Sequence, residues 1–363
     1  MDDNSPAPAT RPPRRPGRRV RLADVAARAG FSAGLASLVL RNQPGPGQQA
    51  RVRVLQAAQE LGYRADRSAS LVPRRHGRHL GVFMDLGNTL HAELVADLGV
   101  AASALGYDLV LSSVTPARDE RRAVEILLGF GCEALILLGP QELTARLNAL
   151  GTRLPVVVIG RRIPAAAVDV VRAADGLGVT QAVGHLAALG HRYIAFVDGG
   201  RGTTASDRRR GYRQAMRRLG LAGGERIVPG GDAEEAGPRA AATLLAAARP
   251  PTAVVTSDDR CAAGLLDALA RRGVPVPGCV SVVGYDDSML ARLAHVDLTT
   301  VSQDPRRQAE LAVALAADRL ETGRSAPREI VLSPHLVVRG TTGPPPAAAP
   351  AAARPAVAAV APG

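Results

Sequence analysis

Val20 to Leu40 reads VRLADVAARAGFSAGLASLVL, and its spacing decides how the N-terminal part of the chain folds. Two short apolar-faced segments, Leu22 to Ala29 and Ala33 to Leu40, are separated only by Gly30, Phe31 and Ser32. A gap that short admits a tight turn between helices and nothing larger, so the stretch predicts a helix-turn-helix. Gly30 supplies the permissive backbone for the corner, and Ser32 is placed to cap the second helix by accepting a hydrogen bond from a free backbone N–H. Leu22, Val25, Ala26, Phe31, Ala36, Val39 and Leu40 recur at spacings that let both helices share one small core. The opposite face of the second helix is left outward, and in a DNA reader that face enters the major groove.

Working outward, Pro44-Gly45-Pro46-Gly47 must be a loop. Ala50 to Leu61 then reads as an amphipathic helix with Val54, Leu55, Ala58 and Leu61 on its apolar side, closed by Gly62. A head domain over 20–65 follows from these pieces. Ahead of it, residues 1–19 are rich in Pro and Arg without periodicity and read as a disordered basic arm. Behind it, 66–79 carries DRSASLVPRRHGR, a short hinge helix and linker in which Pro73 ends the helix.

From residue 80 the texture changes to short apolar strands alternating with longer amphipathic helices. Strands are expected at Leu80 to Met84, Tyr107 to Ser112, Ala134 to Leu138, Pro155 to Ile159, Tyr193 to Val197, Ala253 to Thr256 and Val280 to Gly284. Such alternation means parallel sheets with right-handed crossovers, and this many βα units predict two successive doubly wound halves over 80–340. Residues 341–363 read as a disordered Pro/Ala tail.

The formal net charge of +12 is distributed unevenly. Residues 1–79 hold 15 Arg against five acids, a balance of +10, and the remaining 284 residues are close to neutral. Charge concentrated on the segment with the helix-turn-helix is the footprint of phosphate binding. No apolar run is long enough to cross a bilayer, and the arm has no apolar signal-peptide core, so a cytoplasmic protein is expected. Cys132, Cys261 and Cys279 are odd in number and widely spaced, which reads as core thiols. No H-E-x-x-H spacing, nucleophile elbow or phosphate loop occurs. Neither a metal, a cofactor nor an enzymatic reaction is therefore expected. The turn Gly199-Gly200-Arg201-Gly202 reads as the edge of a cleft, and His185 and His191 as structural.

Taken in order, the segments ADVAARAG-x-S, ELGYRAD, HLAALGHRYIAFVDG, Arg208-x-x-Gly211-Tyr212, TAVVTSDD, VSVVGYDD and LTTVSQ make the chain resemble the lactose-repressor (LacI/GalR) family of bacterial transcription factors from Val20 to Gly340. The resemblance implies a helix-turn-helix head joined to a two-lobed α/β effector domain like that of the periplasmic binding proteins. It also implies a homodimer, sometimes a tetramer, that reads a pseudo-palindromic operator in double-stranded DNA. A hinge helix from each subunit enters the minor groove, and a small molecule between the lobes changes operator affinity through its differential affinity for the two states.

Carried over position by position, the resemblance places the recognition surface at Ser32, Ala33, Gly34, Leu35, Ser37, Leu38 and Arg41. The family has long polar side chains at positions 33 and 34, Thr at 35 and Arg at 38. Before Arg41, no side chain here can make a bidentate contact to guanine or adenine. Leu71 and Val72 stand where the family has its minor-groove wedge, which unstacks a base step. Effector positions implied are Asn88, Arg161, Arg208, Asp258 and Asp286, with Asp258 standing where many relatives have Asn. Arg208 and Asp286 are expected to face each other across the cleft and clasp a polyhydroxylated ligand, such as a sugar or related metabolite. With no Trp and few aromatic residues, a stacking platform is largely missing. The rival reading, a two-lobed solute-binding protein, would need a signal peptide and would not need the head. A regulator answering to a protein partner is the other alternative.

Overall fold

The computed structural model describes residues 22–40, 45–61, 78–142, 144–164, 167–231 and 233–347. The chain divides into two compact units, Met1–Gly77 and Arg78–Gly363. The basic arm, Arg41, the Leu71-Val72 pair with most of the hinge, and the end of the tail lie outside the described residues.

In the first unit, α1 (Leu22–Ala29), α2 (Ala33–Leu40) and α3 (Gln48–Glu60) enclose one small core. The bend between α1 and α2 is 102°. Gly30 makes the corner with φ +73°, a left-handed backbone that a Cβ would strain, and Ser32 Oγ accepts from the Leu35 amide at 3.3 Å. Val25, Ala26, Ala36, Val39, Val54 and Ala58 are buried together, with Leu22, Phe31 and Leu40 packed around them. Two expected positions differ. Leu55 is 54% exposed because Ala57, not Leu55, completes the inward stripe of α3. Leu35 is half-buried against the core instead of standing on the outward face. Arg28 pairs with Glu60 at 2.7 Å and Arg53 lies over the Phe31 ring at 5.2 Å, so α3 is tied to both the first helix and the turn.

The second unit begins β1 (His79–Asp85), α4 (Thr89–Ala104), β2 (Asp108–Val114), α5 (Glu120–Gly129), β3 (Ala134–Leu138), α6 (Thr144–Gly151), β4 (Val156–Ile159) and β5 (Asp169–Ala173). It continues α7 (Asp175–Ala188), β6 (Ile194–Asp198), α8 (Thr203–Arg218), β7 (Arg226–Pro229), α9 (Ala236–Leu245), β8 (Ala253–Thr256), α10 (Asp259–Ala270), β9 (Ser281–Val283) and β10 (Thr300–Ser302). It closes with α11 (Pro305–Thr322), β11 (Glu329–Leu332) and β12 (His335–Val337). One parallel sheet has the order β11-β5-β4-β3-β1-β2 and the other β7-β6-β8-β9, while β10 and β12 pair antiparallel. Each expected strand is present within a residue or two of its expected bounds.

The two halves are not successive, as the alternation suggested. After β10 the chain returns to the first lobe, where α11 packs against α4, burying Ala309, Ala312, Val313 and Ala316 with Leu94 and Leu98. Strand β11 then adds to the edge of the first sheet beside β5, and β12 goes back to the second lobe. A buried carboxylate fixes this return. Asp169 accepts from Arg324 at 3.1 and 2.8 Å and from the Arg328 amide at 2.6 Å, which docks the loop ahead of β11 onto the start of β5.

The body also continues past Gly340, where the tail was expected to begin. Thr341 is buried and its Oγ1 donates to the Val282 carbonyl at 2.7 Å, while the Gly343 carbonyl lies 2.9 Å from His191 Nε2. His191 is fully enclosed, with Nδ1 at 2.9 Å from Thr252 Oγ1, and His185 holds Thr342 at 3.0 Å. Both imidazoles thus pin the C-terminal segment. Cys132 and Cys261 are core thiols, but Cys279 is exposed because it sits in the loop before β9.

Helices α7 and α8 approach so closely at Gly176 and Gly211 that a Cβ on Gly211 would stand 2.3 Å from the Gly176 carbonyl oxygen. Gly211→Ala should therefore lower stability by about 1–3 kcal/mol, because neighbouring backbone cannot move aside cheaply. Gly184→Ala, on the same helix pair with open space around its added methyl, should raise stability by up to about 1 kcal/mol. Thermal melts of the two variants test both signs; equal effects would mean that the α7–α8 crossing is not the tight contact described.

Candidate functional site

The strands of both sheets point their C-terminal ends toward one another, and the loops there enclose a cavity of about 390 Å³ between the lobes. Ligands of doubly wound sheets bind at this position because helix N-termini and loop side chains converge there. From the first lobe come Asp85, Asn88, His91, Glu120 and Gln141; from the second come Arg201, Thr204, Arg208, Ser257, Asp258 and Asp286. The segment crossing from β10 to α11 adds Gln303, and the first turn of α11 adds Gln308.

Asn88 lines the cavity at the start of α4, with its Oδ1 capping the helix by accepting from the Leu90 amide at 3.0 Å. Asp258 does the same for α10 through the Cys261 amide at 2.8 Å. Arg208 projects from α8 into the second-lobe wall and is buried there. Its Nε donates to Asp175 Oδ1 at 2.8 Å, its NH1 to the Ser257 carbonyl, and its guanidinium carbon lies 3.7 Å from the centre of the Tyr285 ring. Asp286 Oδ1 is 3.7 Å from Arg208 NH2 and accepts from Gln303 Nε2 at 2.6 Å.

Arg208 and Asp286 therefore do not face each other across the cleft as expected. Both belong to the second lobe and stand side by side, because the turn after β9 runs alongside the first half of α8. Burial acts against the charge of Arg208, and Asp175, Tyr285 and Asp286 together outweigh it, so the guanidinium stays charged. Burial also pushes the Asp286 carboxyl well up, against the pull of Arg208 and with the help of Asp259 and Asp258 nearby. Arg161 is absent from the cavity wall. Its NH1 donates to the Pro140 carbonyl at 2.7 Å and its NH2 to the Glu142 carbonyl at 3.3 Å, while Glu120 accepts from the Gln141 and Glu142 amides at 2.7 and 2.8 Å. Arg161 and Glu120 thus hold the loop at the cavity rim in shape. As expected of a cleft-edge turn, Gly199 and Arg201 line the rim opposite.

Sequence reasoning missed His91, Gln303, Gln308 and Asp175. Helical periodicity sorts residues onto faces and says nothing of which inward side chain meets a cavity. Asp175 would have been found by noting that the α7 segment begins with an acid directly after a strand. Among the described residues, hydrogen bonds bridge the lobes at more than one place. Thr204 Oγ1 donates to the Gly160 carbonyl at 3.2 Å, and Glu93 of α4 accepts from Arg292 at 2.6 Å and from the Met289 amide.

In the head, Ser32, Ala33 and Gly34 are exposed, Leu38 is 39% exposed, and Ser37 is half-buried. The outward face of α2 is accordingly small and apolar, as its sequence implies. Among the described residues, no cluster of His, Cys, Asp or Glu is arranged to hold a metal ion, and no single helix is long and apolar enough to cross a membrane.

A helix-turn-helix unit joined to a two-lobed body around a polar cavity is the build of a transcriptional regulator with an effector domain. A family profile described as a periplasmic binding protein-like domain matches residues 183–342. The HTH-type transcriptional regulator GalR of Escherichia coli (strain K12) is 30% identical over 307 residues, covering 82% of this chain and 90% of the relative. Among solved structures, a LacI transcriptional regulator from a Rhodococcus species is 47% identical, with a TM-score of 0.72 over 74% of this chain and 99% of that one. The lac repressor dimer bound to operator and the anti-inducer ONPF is 27% identical, with a TM-score of 0.69 over 90% of this chain and all of that one. The chain belongs to the LacI/GalR family of HTH-type transcriptional regulators.

The Glu93 bridge carries a testable consequence for lobe closure. With Glu93 and Arg292 side chains 20% and 45% exposed, the pair is worth about 1 kcal/mol after solvent screening. Glu93→Ala should then raise the open-lobe population roughly fivefold. Spin labels on α5 and α9 in a Cys279→Ser background should show this as a longer, broader distance distribution. An unchanged distribution would mean that other contacts hold the lobes.

Proposed function

We propose that the protein is a repressor whose affinity for a pseudo-palindromic DNA operator changes when a small polyhydroxylated metabolite, such as a sugar, occupies the cavity. It acts as a homodimer in the cytoplasm, and its role is binding rather than catalysis. The observation that carries this reading is the polar cavity itself: Asn88, Arg208, Asp258 and Asp286 converge on it from two lobes that are bridged to each other. A ligand that contacts both lobes binds one degree of closure more tightly than another, and that difference is what shifts an equilibrium. Arg161 serves by fixing the rim loop. The likeness to the lac repressor on its operator supports the DNA and dimer parts.

On the DNA side, Ser32 and Ser37 contact phosphates, and Ala33 and Leu38 meet thymine methyl groups. Leu35, half-buried, contributes mainly to holding α2 in place. Because this face offers no bidentate base contact, Arg41, the basic arm and the Leu71-Val72 wedge supply much of the grip.

Genome-wide mapping of bound DNA in the source organism, followed by titration of the recovered operator with metabolites made or consumed by the neighbouring genes, tests the whole reading. Failure to recover a common two-fold sequence would sink it. Removing residues 1–18 should weaken operator binding and flatten its salt dependence, since each phosphate contact adds about 0.9 to the slope of log affinity against log salt. Leu38→Arg should change sequence preference more than stability, read by selection from a random DNA pool; an unchanged preference would show that α2 does not read bases at this position.

A further inference from the structure

The chain runs on past β12, and two histidines hold its last described residues against the second lobe. Thr341 lies along the free side of β9. Its carbonyl accepts from the Val282 amide at 2.9 Å, and its Oγ1 donates to the Val282 carbonyl at 2.7 Å. Gly343 brackets Ser281 Oγ, donating from its amide and accepting at its carbonyl, both at 3.1 Å. Further on, Pro345 stands beside Gly190, where an added Cβ would be 3.5 Å from the proline ring.

His191 is fully enclosed, and both of its ring nitrogens are engaged. The Gly343 carbonyl can only accept, so its 2.9 Å contact with Nε2 puts the ring's proton there. Nδ1 is then bare in the neutral ring and accepts from Thr252 Oγ1 at 2.9 Å. A second proton, on Nδ1, would meet the hydrogen of that hydroxyl. The hydroxyl would have to turn to the Tyr193 carbonyl at 3.4 Å, beyond the usual length of such a bond. His185, on the last turn of α7, meets Thr342 Oγ1 at 3.0 Å, and Thr342 lies 3.1 Å from Thr299 Oγ1. The elements around the two rings are poor in charge. Thr252 and Ser281 face His191 from the starts of β8 and β9, and the segment itself brings no ionisable group after Arg339, which is bound to Asp287. Arg192 and Cys279 are exposed, Arg249 is stacked on the Tyr193 ring at 3.4 Å, and His335 of β12 is exposed. Among the described residues, no carboxylate acts on either histidine.

We propose that residues 341–345 form a strap latched by His185 and His191 in their neutral forms, and that acidification through the ordinary histidine range releases it from β9. Burial supports this by pushing both rings' pKa down; at His191 it outweighs the Gly343 carbonyl, and the nearby His185 adds to it. Once the strap is away, both rings take up protons at about pH 6.5. Docking is therefore complete above that value and is lost as pH falls below it, because the released state binds more protons. With two rings linked, the docked-to-released ratio falls by at most about a hundredfold per pH unit. Release leaves the backbone edge of β9 open to pairing with another chain.

The test uses the full-length protein with Cys279→Ser, which removes the exposed thiol, and a nitroxide on Ala347→Cys. The label should be immobilised at pH 7.5, and the ratio of its mobile to immobile components should rise reversibly, roughly fivefold or more, by pH 5. Exchange of the Val282 amide, corrected for its intrinsic pH dependence, should speed up in step. Circular dichroism recorded alongside separates release from unfolding; a mobile component that appears only as helix is lost refutes the latch. The double variant His185→Gln and His191→Gln, whose amides keep an N–H donor without titrating, should stay immobilised at pH 5. A second arm leaves both rings untouched, so it does not depend on that variant folding. Histidine-selective ¹⁵N spectra should place both titrations below 6.5, and Gly343→Val, which crowds Pro277 and dislodges the strap, should return them toward 6.5 and mobilise the label already at pH 7.5. A label indifferent to pH, an equal gain in mobility in the double variant, or histidine titrations unmoved by Gly343→Val overturns the proposal.

Discussion

The second lobe's wall of the cavity is organised by one buried guanidinium. Arg208 gathers the start of α7 through Asp175, the end of β8 through the Ser257 carbonyl, the turn after β9 through Asp286, and the Tyr285 ring beneath it. Taking this charge out of water is expensive, and the arrangement persists because hydrogen bonds and carboxylates meet it on several sides. Replacing any one partner would strand the others, so the group is rigid before any ligand arrives. A binding wall formed in advance loses less entropy on association, which is how a small polar cavity reaches useful affinity.

From this centre the structure reaches the lobe bridge within a few residues. Asp286 and Asp287 have φ values of +115° and +55°, a region that non-glycine side chains rarely adopt. The turn they make is held on all sides: Asp286 by Gln303, Asp287 by Arg339 at 2.6 Å, and Ser288 by Asp259 at 2.7 and 2.9 Å. Immediately afterwards, Met289 and Arg292 bond to Glu93 on the first lobe. Glu93 lies on the same helix as Asn88's cap and His91. Asp286 on one lobe and His91 on the other thus line the cavity from the same two elements that bridge the lobes.

The head was legible because a two-helix pattern with a three-residue gap has few solutions, and Ser32 and Gly30 act locally. Strands β3 and β8 read cleanly since they are central and wholly apolar. Strands β5 and β11 did not, because charged residues interrupt the short apolar runs DVVRA and EIVL, and Asp169 is buried only through an arginine some 155 residues away. In the site, Asn88, Arg208, Asp258 and Asp286, expected from family position, all line the cavity. It misplaced the geometry of the Arg208–Asp286 pair, and it put Arg161 in a wall that Arg161 only buttresses. These errors share a cause: a sequence position states which strand end a residue follows, whereas the direction of a long side chain depends on partners supplied by distant segments.

The chain crosses between lobes at Ala174, at Gln303-Asp304 and between β11 and β12, and two of these crossings take part in the cavity network. Asp175, the first residue of α7, holds Arg208; Gln303 holds Asp286 and lines the cavity. Asp304 beside it is left-handed, with φ +54°, and caps α11 through the Arg307 amide. Any change in the angle between lobes must be absorbed by backbone torsions at the crossings, since the lobes on either side are close-packed. Gln303 and its partner Asp286, which line the cavity, therefore lie on or bond directly to a segment that bends. The interleaved threading that defeated the expectation of two successive halves is what places a lobe crossing and the cavity wall in the same few residues.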